Sequence, residues 1–486
     1  MDHLSSSRSA LWVTIAFATG AIIAVLIAAA VRGPWFDEFA TIYLADPTVP
    51  LSEVFQTRWL LDPPPPLFYF MARLWTVLGQ GLFVRRLLNL IPLLFTVAWF
   101  AHTWINAPRH RRFLALYAPL VLSNPFFARY FPEYRSYFFQ YSFETVFFGA
   151  AYVGFVDERR TPDWFMLACI PFLICLHQIT AIYSSIMIGC LVVVDLWHRR
   201  FSRAFYYGAL TLACGSLLLT FTWMQFEKPG VLSAVGWIEV RSLGQSLNRV
   251  ITLAHLDAIA AIAALLLGAQ RLRRFWPSLE RLEMPSESRV RFCLLLALAV
   301  GLSTTVALLI NTVVPIMVTR YFSALITAAN CVLAVLLQDI VFSKLILFGL
   351  FTFGAALLFG TGAVKVTTEQ RWNQAAKMVA DTAKMCPASH IYVVAPFVAD
   401  RVGYDYYARA LNLDLVTLAE GATDISPKGS CPTIVWFAHF ESRSNSQADM
   451  VRATEQAAGL RLSASQRSRA TVTYTNPGVL IEISPP

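Results

Sequence analysis

Two adjacent carboxylates, Asp37 and Glu38, directly follow the first long apolar run, in Arg32-Gly-Pro-Trp-Phe-Asp-Glu-Phe-Ala40. A carboxylate held in a partly desolvated cleft can take the proton of an attacking hydroxyl. Acids at this position can also simply favour the start of a short helix. Other polar groups recur at the edges of later apolar runs. Asp62 precedes Pro63-Pro-Pro-Pro66, where it can orient a hydroxyl or start a turn. The stretch Arg129-Tyr-Phe-Pro-Glu-Tyr-Arg-Ser-Tyr137 sets Arg129, Glu133, Arg135 and Tyr137 between two apolar runs. Charges there are costly unless they pair with one another or bind an anion. His177 sits at a tight turn between two further runs. Arg320-Tyr321 stands where the chain re-enters apolar sequence after Pro315. A guanidinium at that depth suits a phosphate near the lipid boundary, to which it can make paired hydrogen bonds; snorkelling toward headgroups is the plainer role. Lys228, in Phe226-Glu-Lys-Pro-Gly230, is a further candidate cation.

The rest of the chain must place these groups. Of 486 residues, 57% are hydrophobic and only 14% charged, too few polar residues to cover a soluble protein of this length. The composition therefore indicates a polytopic membrane protein. The net charge of +9 does not indicate nucleic acid, because the arginines cluster between apolar runs, as orientation signals do. Segment 11–31 is too long for a cleaved leader and reads as a retained span.

About eleven segments can cross a hydrocarbon core of roughly 30 Å. They are 11–31, 86–105, 113–129, 135–155, 164–178, 179–196, 205–223, 250–268, 291–311, 320–338 and 343–364. Segment 67–79 is apolar but, at about 1.5 Å per residue, too short to cross. It reads as a helix lying in the outer interface. With the N-terminus inside, Arg109, Arg111 and Arg112, then Arg159 and Arg160, then Arg199, Arg200 and Arg203, then Arg271, Arg273 and Arg274 all become cytoplasmic. Counting 67–79 as a span would reverse them. The polar clusters then share the outward side. In the first outward loop, Phe36, Phe39, Ala40, Tyr43 and Leu44 repeat at helical spacing with Asp37 on another face, and Asp46-Pro47 ends that helix.

Beyond residue 365 the chain turns polar. Helices are expected at 369–385, 400–411 and near 446–459, with strands at Ile391-Tyr-Val-Val-Ala395 and Thr433-Ile-Val-Trp-Phe437, and a hairpin turning at Asn476-Pro-Gly478. That alternation predicts a small α/β domain over 366–486, following a membrane domain over 1–365. Six of the eight cysteines lie in apolar spans and read as core residues, whereas Cys386 and Cys431 each precede a strand. They form a disulfide if that part faces an oxidising compartment, and two free thiols otherwise.

With these motifs in order, the chain resembles the GT-C superfamily of membrane glycosyltransferases, in the bacterial group related to protein O-mannosyltransferases and to aminoarabinose transferases of lipid A. The resemblance covers 11–364. Phe36-Asp-Glu-Phe-Ala40 matches the family's Asp-Glu motif, whose Asp is the usual candidate base. Asp62-Pro-Pro-Pro-Pro-Leu-Phe-Tyr69 matches the run Asp-x-His-Pro-Pro-Leu-Tyr-Tyr, with Pro64 where the family has His or Lys. Arg85-Arg86-Leu87 stands where the family has an Arg-Leu-Pro-like start of the second span. Asn124-Pro-Phe126 through Tyr137 resembles Ser-Pro-Phe…Gln-Glu-Ala-Arg-x-Tyr, keeping Glu133, Arg135 and Tyr137 and losing the Gln. His177 matches a recurrent His-Tyr motif, with Gln178 for the Tyr, and Arg320-Tyr321 matches an Arg-Tyr-Leu element implicated in donor phosphate contact.

The resemblance implies an all-α polytopic GT-C membrane domain with juxtamembrane helices in the first outer loop, in a bacterial inner membrane, with the C-terminal domain periplasmic. It implies an inverting glycosyltransferase that takes a sugar from a polyprenyl-phosphate donor and passes it to an envelope acceptor: lipid, polysaccharide or protein. Asp37 would receive the acceptor's proton, and Glu38 would position the acceptor or a cation. Arg320 and Tyr321, with Arg135 and Lys228, would hold the donor phosphate. Asp62, Arg129, Glu133, Tyr137 and His177 would line the sugar or acceptor. No cofactor is implied as required; the family holds both metal-dependent and metal-independent enzymes, so a divalent metal stays open. The rival functions are a flippase or transporter of lipid-linked glycans, a glycan polymerase or ligase, and a non-enzymatic scaffold. A flippase should carry polar groups deep along several spans, and a polymerase its key residues in large late loops.

Overall fold

The computed structural model describes residues 2–228, 242–253, 286–314, 318–341, 349, 352–360, 372–418, 425, 430–438, 447–474 and 478–486. The described chain is mostly helical, with several apolar helices and a small mixed sheet near the C-terminus. It divides into two compact units, 1–30 with 47–364 and 31–46 with 365–486. The stretch that carries Asp37 and Glu38 thus groups with the polar C-terminal part.

In chain order the helices are α1 (Asp2–Val31), α2 (Phe36–Leu44), α3 (Leu51–Thr57), α4 (Leu67–Trp75), α5 (Leu82–Arg86), α6 (Leu90–Asn106) and α7 (Arg111–Ser123). They continue as α8 (Pro125–Tyr130), α9 (Tyr137–Val156), α10 (Trp164–Cys175), α11 (Gln178–Trp197), α12 (Phe201–Phe226) and α13 (Leu243–Leu253). Last come α14 (Glu287–Asn311), α15 (Ser323–Val341), α16 (Trp372–Met385), α17 (Val398–Leu411), α18 (Gln447–Ala458) and α19 (Ala464–Ser468). Among the described residues, five helical segments are long and apolar enough to cross a membrane: Leu11–Val31, Leu82–Asn106, Gln178–Trp197, Phe201–Phe226 and Glu287–Asn311. Leu67–Leu78, Trp164–Cys175 and Ser323–Gln338 are apolar but shorter. Most of the segments expected at 250–268 and 343–364 lies outside the described residues.

In the first unit, α9 is the central helix, every residue from Tyr137 to Gly154 being buried. It packs against α6, α8, α10, α14 and α15. At Gly149 a Cβ would fall 2.2 Å from the Trp99 ring of α6, so the two helices approach closely only because that position is glycine. The run expected as one span at 113–129 is broken in two. Asn124 is extended (ψ 135°), as a residue before proline prefers, and its side chain accepts the Phe126 N–H at 2.9 Å to cap α8. Arg203, read from the sequence as an orientation signal, is buried and bound. Its Nε lies 2.7 Å from Asp195 Oδ2, and its Nη1 donates to the carbonyls of Gly154 and Arg159 at 3.0 Å.

The second unit is built on a five-stranded sheet of order β2-β1-β3-β5-β4. Its strands are β1 (Ile391–Val393), β2 (Leu415–Thr417), β3 (Thr433–Phe437), β4 (Ala470–Tyr474) and β5 (Val479–Ile483). β1 is parallel to both β2 and β3, while β5 is antiparallel to β3 and β4. The unbroken apolar run of β3 is buried throughout, because the strand has cores on both faces. Ile434 and Trp436 pack with Trp372, Tyr404, Tyr407 and Phe39; Val435 and Phe437 pack with Met450, Val451 and Ile481. Strand β2 and helix α19 were not foreseen from the sequence. The turn expected at Asn476-Pro-Gly478 falls mainly outside the described residues.

Cys386 and Cys431 form a disulfide, with Cα atoms 5.6 Å apart, across a sequence separation of 45. Closing a loop of that length removes about 4 kcal/mol of unfolded-state entropy in the chain-entropy account. Asp400 is fully buried at the start of α17, where its Oδ2 accepts the Phe397 N–H at 3.1 Å. Burial raises its carboxyl to about 7. The folded state therefore keeps a proton that the unfolded chain releases near 3.8, so this group's contribution is fully present below that pH and is lost as pH rises toward 7. Across that window the melting temperature of the native protein should fall relative to an Asp400→Asn variant. Parallel melting curves for the two proteins would refute the assignment.

Candidate functional site

In the first unit, residues from six helical segments and three turns converge. The four consecutive prolines after Asp62 lack backbone donors, but their carbonyls still need partners. Two glutamines partner the carbonyls of Asp62 and Pro63 at the start of this run. Gln178, the first residue of α11, donates to the Pro63 carbonyl at 2.5 Å. Gln225, near the end of α12, donates to the Asp62 carbonyl at 2.6 Å. The Asp62 carboxylate is thereby held facing α4, where it accepts a hydrogen bond from the Tyr69 hydroxyl. Arg135 Nη1 donates to the same hydroxyl at 3.5 Å, and Arg135 Nη2 to the Tyr137 hydroxyl at 3.4 Å. An acid, a phenol and a buried guanidinium thus form one relay.

Tyr137, the first residue of α9, is the centre of the cluster. The Arg135 and Arg320 guanidinium carbons each lie 5.5 Å from its ring centroid. Arg320 also lies 5.7 Å from the Tyr321 ring, whose centroid is 6.3 Å from that of Tyr137. The imidazole of His177 packs on Tyr321 at 4.2 Å, and its Nδ1 accepts the Ile179 N–H at 3.2 Å, capping α11. A ring nitrogen that accepts carries no proton, so His177 is neutral in this arrangement, with its proton on Nε2.

The turn carrying these groups is fixed from below by Asn89, whose Nδ2 donates to the carbonyls of Phe131 at 2.8 Å and Glu133 at 2.7 Å. Tyr134 donates to the Ala72 carbonyl at 3.0 Å, tying the same turn to α4. Glu133 is fully buried within it, and Arg129 lies 5.6 Å from the Tyr130 ring centroid. Two buried or half-buried guanidiniums converging on one aromatic ring, with one carboxylate attached through a phenol, can bind an oxyanion in a site of reduced dielectric.

The structure thus brings together Asp62, Arg135, Tyr137, His177, Arg320 and Tyr321, and adds Tyr69, Asn89, Gln178 and Gln225, which sequence reasoning did not select as site residues. Lys228 lies just beyond α12 and, among the described residues, its side chain makes no hydrogen bond or ion pair with this cluster. Asp37 and Glu38 belong to the second unit. There Glu38 is fully buried and its Oε2 accepts the Trp35 N–H at 2.9 Å, closing the first turn of α2. Asp37 is buried beside it with 8% exposure, and its carbonyl accepts from Thr41 Oγ1 at 3.1 Å. Phe36, Phe39 and Ala40 of the same helix enter the core around Trp372 and Tyr407. No group of three or more His, Cys, Asp or Glu side chains suited to a metal ion occurs among the described residues.

These features define a helical membrane protein with an arginine–tyrosine cluster in its membrane unit and a small mixed α/β unit at its C-terminus. The fold is that of ArnT. The apo crystal structure of ArnT from Cupriavidus metallidurans matches with a TM-score of 0.51 at 14% identity, covering 98% of both chains. The structure of the same protein bound to undecaprenyl phosphate matches with a TM-score of 0.52 at 14% identity, covering 96% of this chain and 97% of that one. At this identity the likeness establishes the fold. No protein-family model matches the chain, and no curated protein matches it in sequence.

Proposed function

We propose that the protein is an inverting glycosyltransferase that moves a sugar from a polyprenyl-phosphate donor to an acceptor of the bacterial cell envelope: a lipid, a polysaccharide or a protein. The observation that carries this reading is the convergence of Arg135 and Arg320 on Tyr137, with Asp62 joined to Arg135 through Tyr69. The ArnT fold supports the donor class, since ArnT itself has been seen holding undecaprenyl phosphate. In this mechanism the acceptor hydroxyl attacks the anomeric carbon while the bond from that carbon to the phosphate oxygen breaks. Asp37 receives the hydroxyl proton. The guanidiniums of Arg135 and Arg320 stabilise charge developing on the departing phosphate, which is worth most where water is excluded. Tyr137, Tyr321 and the neutral His177 hold both arginines and line the sugar, and Asp62 orients a donor or acceptor hydroxyl. Arg129 and Glu133 shape the turn beside them. Glu38 acts by fixing α2, and Lys228 is at most an outer cation.

In the same proposal about eleven spans set the N-terminus in the cytoplasm and the C-terminal unit in the periplasm. The disulfide between Cys386 and Cys431 supports an oxidising compartment for that unit.

The test follows lipid extracts from membranes that contain or lack the protein, by mass spectrometry. A transferase depletes polyprenyl-phosphate-linked sugar and releases free polyprenyl phosphate. A protein that moves the lipid-linked sugar between leaflets, with no polyprenyl phosphate released, would contradict the proposal.

A further inference from the structure

A concavity in the first unit lies apart from the arginine–tyrosine cluster and shares no lining residue with it. Its volume is about 340 Å³, within the range of roughly 300–1,000 Å³ usual for small-molecule sites. One face each of α1, α6, α7 and α9, with Phe127 of α8, forms its wall. On α7 the lining residues are Leu114, Ala118, Val121 and Leu122, which share one helical stripe. Arg111 precedes Leu114 by three residues on that stripe, about 4.5 Å further along the helix axis. Its Nε donates to the Trp104 carbonyl at 3.0 Å, and its guanidinium lies 5.7 Å from the Trp104 ring, which itself lines the groove. Among the described residues the two Nη groups of Arg111 make no hydrogen bond, so its charged end, beside Trp104 and one turn from Leu114, has donors to offer.

Inside the groove, Thr14 of α1 is 92% buried, with 8% exposure, and its hydroxyl has no hydrogen-bond partner among the described residues. Three neighbouring hydroxyls are bound to carbonyls: Thr96 to Pro92 at 2.9 Å, Tyr141 to Val121 at 2.8 Å and Thr145 to Tyr141 at 2.8 Å. Thr14 lies three residues inward of Leu11, the lining residue nearest the N-terminus of α1. The groove therefore offers an unpartnered hydroxyl and a long apolar wall, with a cation one turn beyond its Leu114.

We propose that this groove binds an anionic glycerophospholipid of the surrounding membrane. The headgroup phosphate sits on the Arg111 guanidinium, an ester carbonyl accepts from Thr14 Oγ1, and one acyl chain lies against Val97, Ala101, Ala118 and Val121. A lipid with this order of groups satisfies all three features at once. A free phosphate would leave the wall uncovered, and a neutral hydrocarbon would leave Arg111 and Thr14 unused.

The experiment is native mass spectrometry of the full chain released from detergent, titrated separately with phosphatidylglycerol and phosphatidylethanolamine of identical acyl chains. The site predicts one tightly retained phosphatidylglycerol, held roughly 10-fold more strongly than phosphatidylethanolamine: both offer a phosphate to Arg111, but the ammonium of phosphatidylethanolamine repels the guanidinium. Arg111→Gln should abolish that preference, and Ala118→Trp should remove retention of both lipids. Should the tryptophan variant fail to fold, Arg111→Gln carries the test alone, since its aliphatic stem is kept. Equal retention of the two phospholipids by the unaltered protein, or an undiminished preference in Arg111→Gln, would overturn the proposal. Binding of undecaprenyl phosphate should be unchanged in both variants. Its loss there would mean that the groove holds the isoprenoid tail, which also overturns the assignment to a phospholipid.

Discussion

Asp37→Asn is expected to lower sugar transfer by roughly 10²–10⁴-fold, the usual contribution of a positioned general base. The amide keeps the size of the carboxylate but cannot take the acceptor's proton. Folding should be little affected, because the first turn of α2 is closed by Glu38 and not by Asp37. The neighbouring acid provides the contrast. Glu38→Gln keeps an oxygen that can accept from Trp35 N, so it should retain most activity, whereas Glu38→Ala should cost about 1 kcal/mol of stability, in the range of lost helix caps. Transfer rates for the three variants, read beside their melting temperatures, separate the chemical role from the structural one. Full activity in Asp37→Asn would remove the base from the mechanism.

The second large effect concerns the arginines. Arg320→Ala should weaken binding of undecaprenyl phosphate by roughly 10–100-fold, equivalent to about 1.5–3 kcal/mol for a hydrogen bond to a charged group. Arg135→Ala should weaken it comparably, and should also release Tyr69 and Tyr137, both of which accept from that guanidinium. The double variant should lose less than the product of the two single effects, because both groups act on the same ring and the same phosphate. Arg320→Lys should recover only part of the loss, since an ammonium cannot reproduce the planar fork. Isothermal titration with the short-chain isoprenoid phosphate and with a neutral isoprenol gives the measurement. An Arg320→Ala protein with native affinity for the phosphate would discredit the phosphate role.

What could be read from the sequence divides along physical lines. Thr433–Phe437 is legible because a short unbroken apolar run between polar segments has few places to go except a strand buried on both faces. The α4 helix is legible from the proline run before it and the glycine after it. Strand β2, only three residues long, offers no period to detect; it exists because β1 presents a parallel edge to it. The break at Asn124 was visible in the dipeptide Asn-Pro but was overridden by a hydropathy pattern that does not register backbone breaks.

The candidate site shows the same division. Charged residues at the edges of apolar runs are conspicuous because burying them is costly, and Asp62, Arg135 and Arg320 stood out for that reason. Tyr69, Asn89, Gln178 and Gln225 did not, since one phenol or amide on an apolar helix looks like any other until its partner's position is known. Those partners lie far along the chain, Gln225 reaching Asp62 across 163 residues. The grouping of α2 with the C-terminal unit was equally hidden. It depends on Phe39 packing against Trp372, with ring centroids 5.0 Å apart, a contact that no local pattern announces.

The most direct measurement of the central claim is a cryo-electron microscopy map of the protein in lipid nanodiscs with undecaprenyl phosphate. The account predicts phosphate density within about 2.7–3.2 Å of guanidinium nitrogens of both Arg135 and Arg320, beside the Tyr137 ring. Phosphate density bound elsewhere, with the two arginines in the positions described and no anion between them, would contradict it.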